Sequence, residues 1–404
     1  MKHVVVGAGI AGVCCAEELC RLAPNDSVVL VASSTVLKGV GNVIRYSKNL
    51  EEFEVVERDL TSLPYSNLTL IHRAATSLDL QTKTLQLANN ETLSYNRLVV
   101  CTGAAPKRLL AHERVLVLRD TDSVQQLCAK LPGVRRLVLV GNGGIALELV
   151  NALRDVEVVW VMKHGHIGDA FLDVDAATFL LQHLQGQWDP SAAQPWPLHV
   201  RLTNGHEYDA DLVISAIGVT PELGWVPAEV ERDPKDGGLL VNRYMQTSVP
   251  DVYAGGDACT LRPEDIAPHW FQMRLWTQAR VMGTYAAHCM TGTAESLASG
   301  FNFELFTHAT RFGGLKVVFL GLYNGQKLEG EPEEDIVSYS RATEGDQPTF
   351  VRVTLVRGRM KGAVLLGETE LEEVFQNLIL DNIDLSSYGP ALLDPRVDLE
   401  DMFD

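Results

Sequence analysis

The 404-residue chain has no Cys-x-x-Cys pair, no excess of basic side chains and no long apolar run. No stretch approaches the roughly 20 apolar residues that cross a bilayer, so no membrane span is predicted. Lys and Arg number 34 against 52 Asp and Glu, a formal charge of -18. That balance argues against broad contact with nucleic-acid phosphates and is more compatible with a basic protein partner. The seven cysteines (Cys14, Cys15, Cys20, Cys101, Cys128, Cys259 and Cys289) form no framework and no Cys/His metal spacing. An odd count without a framework predicts reduced thiols and no metal centre. The first strand begins at Lys2, which leaves no room for a leader; we expect a cytoplasmic and nuclear protein.

What is present is glycine in two telling places. The apolar run Lys2–Val6 leads into Gly7-x-Gly9-x-x-Gly12, and Leu137–Val140 leads into Gly141-x-Gly143-x-x-Ala146. A strand followed by this spacing and then a helix is the dinucleotide fingerprint. Its glycines permit the tight turn, the close approach of backbone to pyrophosphate and the packing of helix on strand. Two fingerprints predict two dinucleotides. Ile10, Ala11, Gly144 and Ile145 fall in the first helical turns and join the candidate binding residues.

Both units depart from the pattern at the end of their second strand, where a carboxylate ordinarily meets the ribose hydroxyls. The first ends in Ala32-Ser33, so a hydroxyl, a backbone group or water must take that role. The second ends in Met162-Lys163-His164. Lys163 is either a solvated lysine or a residue that tolerates a 2′-phosphate; the second reading predicts that NADPH is accepted.

Elsewhere, residues 36–66 read as loop plus helix. The runs 68–71, 78–80 and 84–87 read as a small meander turning at Asn89-Asn90. Residues 186–197 read as a linker, and 268–291 as one long helix. From 301 onward alternating strands (316–320, 350–356, 362–366) precede a helix at 370–380 and an acidic tail.

The order of motifs resembles the pyridine nucleotide-disulphide oxidoreductase superfamily. After the first fingerprint come Cys101-Thr102-Gly103-Ala-Ala-Pro106, the second fingerprint through Glu148, Ala216-Ile-Gly218-Val-Thr-Pro221, and Tyr253-Ala-Gly-Gly256-Asp257. The resemblance implies FAD at the first fingerprint and NAD(P)H at the second, with Thr102, Gly103, Gly218 and Gly256 beside them and Asp257 on the ribitol hydroxyls. It implies two doubly wound α/β, Rossmann-like domains plus a C-terminal α+β domain. The expected boundaries are 1–115 with 247–300 for FAD, 116–246 for NAD(P) and 301–404 for the last domain.

The same resemblance places Lys48 near flavin N5, paired with Glu148, and Trp276, Thr277 and Gln278 at the pyrimidine edge. Lys48 also reads as a surface lysine with acidic neighbours. Trp270, Phe271 and Trp276 read by default as core. Disulphide reductases of this family need a redox cysteine pair beside the flavin, and no such pair is found here. Cys14, Cys15 and Cys20 read as buried helix residues.

These features predict an oxidoreductase moving hydride from NAD(P)H to FAD, with slow oxidase-type reoxidation. The alternative is a redox-gated binding protein with little turnover. The segments 42–53, 138–150, 273–280, 362–373 and 385–404 resemble a branch of the family associated with the tRNA ligase complex, whose metal-dependent catalytic subunit is vulnerable to oxidation. The resemblance implies that subunit as a partner protected from oxidative inactivation. The acidic tail (Asp394, Asp398, Glu400, Asp401 and Asp404, with interleaved apolar residues) is the candidate docking segment.

Overall fold

Valine-rich Lys2–Val6 forms strand β1, and His3–Val6 are buried, as a parallel strand covered on both faces requires. Helix α1 (Ile10–Leu22) starts one residue after Gly9, which provides no side-chain cap. Its first-turn N–H groups therefore take no side-chain partner from Gly9. The chain continues through β2 (Ser27–Ala32), β3 (Val36–Arg45), β4 (Glu51–Asp59), β5 (Leu68–His72), β6 (Ala75–Asp79), β7 (Thr84–Leu87), β8 (Thr92–Ser94) and β9 (Arg97–Val100). The computed structural model describes residues 1–47, 50–184, 196–294, 303–397 and 399, and excludes the side chains of residues 60, 183 and 184.

Two units result: Met1–Ala104 with Thr220–His308, and Ala105–Val219 with Ala309–Asp404. The first is built on a five-stranded sheet in the order Val252–Ala254, β9, β1, β2, β5. All four neighbour pairs run parallel. The strand Val252–Ala254 thus returns late in the chain to an edge of the first sheet and delivers Asp257 to the same unit.

The first unit corrects three sequence expectations. Val36–Arg45 and Glu51–Asp59 pair as antiparallel strands with an irregularity between Gly41 and Ile44, not loop plus helix. Val36, Val40, Val43, Ile44, Val55 and Val56 favour extended backbone, and two glycines disfavour helix. Gly39 leaves room for the guanidinium of Arg58, which crosses it to donate to the Val40 carbonyl at 3.0 Å. Second, β5 belongs to the parallel sheet; the meander is β6, β7 and β8, turning at Asn90 in a left-handed conformation. Third, the long helix spans Trp276–Thr291 rather than 268–291. The Gln278 side chain accepts from the Met273 amide and donates to the Phe271 carbonyl, holding the preceding segment out of the helix.

The second unit holds a four-stranded parallel sheet in the order Val115–Val117, Leu212–Ser215, Arg136–Val140, Glu157–Val161. Helix Gly144–Ala152 follows the Arg136–Val140 strand and buries Ala146 and Leu147. A five-stranded sheet completes the unit in the order Thr307–Phe312, Leu315–Gly321, Arg359–Leu366, Thr349–Val356, Ile336–Thr343. Helix Glu372–Asp381 packs against it through buried Phe375, Leu378 and Ile379. Residues 185–195, most of the expected linker, lie outside the described residues. No helix among the described residues is long and apolar enough to cross a membrane.

Candidate functional site

The first fingerprint closes around glycine hydrogens. Gly7 has φ +118°, and a β-carbon there would stand 2.1 Å from the Cys101 carbonyl oxygen; one at Gly12 would stand 1.9 Å from the Gly7 carbonyl oxygen. The Gly7 amide donates to the Val31 carbonyl at 2.8 Å, so the turn stays tied to β2. Ile10 and Ala11 are buried on α1, and Ala32 is buried at the end of β2, where Ser33 is exposed. The Thr102 hydroxyl donates to the Glu222 carbonyl at 2.7 Å, and the Glu222 amide donates to the Gly103 carbonyl at 2.9 Å.

Gly7, Ser33 and Thr102 thereby come together on one cavity of about 540 Å³, lined also by Arg73, Thr76, Glu222, Leu223 and Trp225. Gly256 is buried (a β-carbon there would meet Ala11) and leads into Asp257, whose carbonyl accepts from Arg274 at 3.2 Å. Thr277 in the first turn of helix Trp276–Thr291 lines a second small space with Glu51, Trp270 and Gln278. Trp270 is core at 2% exposure, whereas Trp276 is 47% exposed, against the default expectation of core. Its place at the helix start, next to the 271–275 segment that stays outside the helix, turns it outward.

In the second unit, Gly141 repeats the geometry of Gly7: φ is +135°, and a β-carbon would meet the Ala216 carbonyl oxygen at 2.1 Å. Gly143 has open space around it, and Gly144 begins the helix. Trp160 donates its indole N–H to the Gly141 carbonyl at 2.7 Å. Asn142, between the glycines, uses its whole amide: Nδ2 donates to the His166 carbonyl (2.8 Å) and to Asp169 Oδ1 (2.5 Å), and Oδ1 accepts from the Gly168 amide (2.6 Å). Ile145 is 40% exposed, and Lys163 is exposed at the end of the Glu157–Val161 strand. The Gly218 carbonyl accepts from the Lys107 amide.

Glu148 is exposed: the helix turns Ala146 and Leu147 inward and Glu148 outward. It is nevertheless recessed among neighbouring atoms, and desolvation raises its carboxyl above the ordinary range. Lys48, its expected partner, lies outside the described residues, as do Asp398, Glu400, Asp401 and Asp404 of the tail. Asp394 is described, and its side chain is occupied by Arg396.

None of the seven cysteines forms a disulfide. Burial pushes Cys14 and Cys20 up to about 11, and Cys101 and Cys289 up to about 12. Burial also raises Cys15 and Cys259 well above the ordinary thiol range. Cys128 is exposed. Among the described residues no group of His, Cys, Asp and Glu could hold a metal ion.

Arg73, Trp225 and Asn142 were missed in the sequence. Arg73 directly follows β5, and reading 68–72 as a parallel strand would have flagged it, since ligands bind beyond the carboxyl ends of such strands. Two atoms test whether a dinucleotide fits the first unit. Trp225 Nε1 and Thr277 Oγ1 are buried with no hydrogen-bond partner among the described residues. Each such orphan costs about 1–3 kcal/mol unless a bound molecule satisfies it. With the side-chain-free cradle at Gly7 and Gly12, they fit FAD.

The family model for pyridine nucleotide-disulphide oxidoreductases matches residues 1–283. The chain is 38% identical over 486 residues to pyridine nucleotide-disulfide oxidoreductase domain-containing protein 1 of Danio rerio, covering all of this chain and 98% of that one. The protein of the same name from Pongo abelii is 37% identical over 496 residues, with equal coverage. Alignments this long mean that both relatives carry internal residues this chain lacks. An NADH oxidase of Enterococcus faecalis is 27% identical over 253 residues, 59% of this chain and 52% of that one. In fold, the chain is similar to an NAD-dependent persulfide reductase from A. fulgidus (TM-score 0.78, 21% identity, 99% of this chain and 80% of that one). Two fingerprints, five motifs in order and full-length similarity agree: the chain belongs to the pyridine nucleotide-disulphide oxidoreductase family, whose cofactors are FAD and NAD(P)H.

Proposed function

We propose that this chain oxidises NAD(P)H through FAD with no thiol between the flavin and the final acceptor, and that reoxidation is slow and oxidase-like. Bound FAD would supply the two-electron acceptor for hydride, with dioxygen or a small diffusible oxidant as the final acceptor. The state of the thiols carries the reading. A relay thiol must ionise near neutral pH, and burial holds six of the seven far above that. Exposed Cys128 sits in the second unit, on the helix Thr121–Lys130, without a partner cysteine next to it in sequence.

The protein's part is binding and orientation. The backbone at Gly7, Gly9 and Gly12 and the start of α1 receive pyrophosphate, as Gly141, Gly143 and Gly144 do for the nicotinamide nucleotide. Trp225 and Thr277 offer their orphan donors. Asp257 accepts ribitol hydroxyls, and Glu148 holds a proton to higher pH than an ordinary carboxylate.

The test is to mix holoprotein with NADPH in air while following flavin and nicotinamide absorbance. Continuous NADPH consumption without an added acceptor supports the oxidase reading. A long-lived reduced flavin with little consumption supports instead a redox-gated binding protein, a reading favoured by the same lack of reactive thiols. For partner, we propose the tRNA ligase complex, with the catalytic subunit protected from oxidation. The acidic, apolar-studded tail and the family resemblance support it. Deleting residues 394–404 should abolish ligase binding; unchanged affinity rejects that docking mode.

A further inference from the structure

The segment after the Glu157–Val161 strand carries Lys163 and His164, where an adenosine ribose is read in this type of fold. It is held from two directions. On one side Asn142 clips it to the fingerprint through His166, Gly168 and Asp169. Gly168 lies where a β-carbon would press on Leu147 of the fingerprint helix at 3.0 Å, and the Phe171 ring lies against Gly144. His164 approaches the other carboxylate oxygen of Asp169 at 3.5 Å.

On the other side stand residues after the Leu315–Gly321 strand of the C-terminal sheet. Tyr323 donates its hydroxyl to the Ala170 carbonyl, and Asn324 donates Nδ2 to the Asp169 carbonyl, both at 3.4 Å. Phe171 packs on Phe319 (5.6 Å between ring centres) and edge-on to Phe312 (6.2 Å). Phe319 in turn packs on Tyr323 at 4.6 Å. Asp169 is the junction: its side chain faces the fingerprint, and its backbone is tied to the C-terminal sheet.

We propose that Asp169 is a positioning residue for NAD(P)H, and that the C-terminal sheet tunes nucleotide affinity through Tyr323 and Asn324. This rests on NAD(P)H occupying the second fingerprint. The sheet fixes the 163–173 segment, the segment fixes Asn142, and Asn142 fixes the backbone that meets pyrophosphate. None of these three residues needs to touch reacting atoms.

The experiment is anaerobic rapid mixing of FAD-loaded protein with NADPH over a concentration series. It yields the nucleotide dissociation constant and the limiting rate of flavin reduction separately. Asp169→Ala should weaken NADPH binding by roughly tenfold or more, the loss of a charge-assisted hydrogen bond. Asp169→Asn keeps an acceptor for Asn142 and should recover most of that loss. Tyr323→Phe with Asn324→Ala should weaken binding roughly three- to tenfold. Limiting rate and flavin content should stay at the wild-type value in all of them. Tyr323→Phe alone removes one oxygen from a buried ring and serves if a larger change fails to fold. Wild-type affinity in the Tyr323/Asn324 variant, or a fall in limiting rate with affinity unchanged, overturns the inference. Failure of the wild-type protein to bind NADPH overturns the underlying site reading instead.

Discussion

A β-carbon on Gly283 would lie 2.1 Å from the carbonyl oxygen of Ala11, so the fingerprint helix and the long Trp276–Thr291 helix cross at backbone contact. Neither helix can move away without dragging the α1 start or the Thr277 turn out of place. Gly283→Ala should therefore destabilise the first unit by about 3 kcal/mol or more and leave purified protein depleted of FAD. Thermal unfolding and the ratio of flavin to protein absorbance measure both effects. A normally yellow, normally stable variant would show that the two helices can part.

Trp225 lines the 540 Å³ cavity, and its buried indole N–H has no hydrogen-bond partner among the described residues. Trp225→Phe keeps most of the ring and removes the donor. FAD affinity should fall by roughly three- to tenfold, one neutral hydrogen bond, as read from equilibrium binding to the flavin-stripped protein. NADPH affinity in the FAD-loaded variant should not change.

Asp211 accepts from the Arg135 amide (2.8 Å) and from Arg135 Nη2 (2.8 Å) at the start of the Arg136–Val140 strand. Burial raises its carboxyl, but the hydrogen bonds from Arg135 outweigh burial and hold it below the usual range. A depressed folded pKa contributes stability above the unfolded value, and that contribution is lost as pH falls through the folded one. Asp211→Asn should cost about 2–4 kcal/mol near neutrality and flatten the acid limb of the stability curve. Denaturant unfolding at several pH values checks this.

Glu148 works in the opposite sense. Desolvation by the surrounding atoms favours its protonated form, so its contribution is present at low pH and lost as pH rises through the raised folded value. The rate of flavin reduction, read by rapid mixing across pH, should carry an ionisation above the usual carboxylate range. Glu148→Gln should remove it from the pH profile.

Much of the dinucleotide architecture was legible because glycine has no substitute where a β-carbon would meet a carbonyl at about 2 Å. Gly7, Gly12 and Gly141 announce their turns from spacing alone. The β3–β4 pairing was obscured by charged residues alternating with valines, a pattern that a helix with solvated faces also produces. The strand Leu68–His72 is short and half-buried at a sheet edge, so nothing local marks it as parallel; Arg73 was missed with it. Asn142 is invisible for another reason. Its work is done on a loop more than 20 residues away in sequence, and no periodicity encodes such a contact.

The most direct measurement is an anaerobic reductive titration of the FAD-loaded protein with NADPH, after alkylation of exposed Cys128. Absence of a thiol relay predicts that one hydride equivalent per flavin completes the bleaching of the FAD band, with no second equivalent absorbed. Uptake of two equivalents per flavin, or loss of NADPH consumption in air on alkylation while NADPH still reduces the flavin, would place sulfur in the electron path and contradict that prediction.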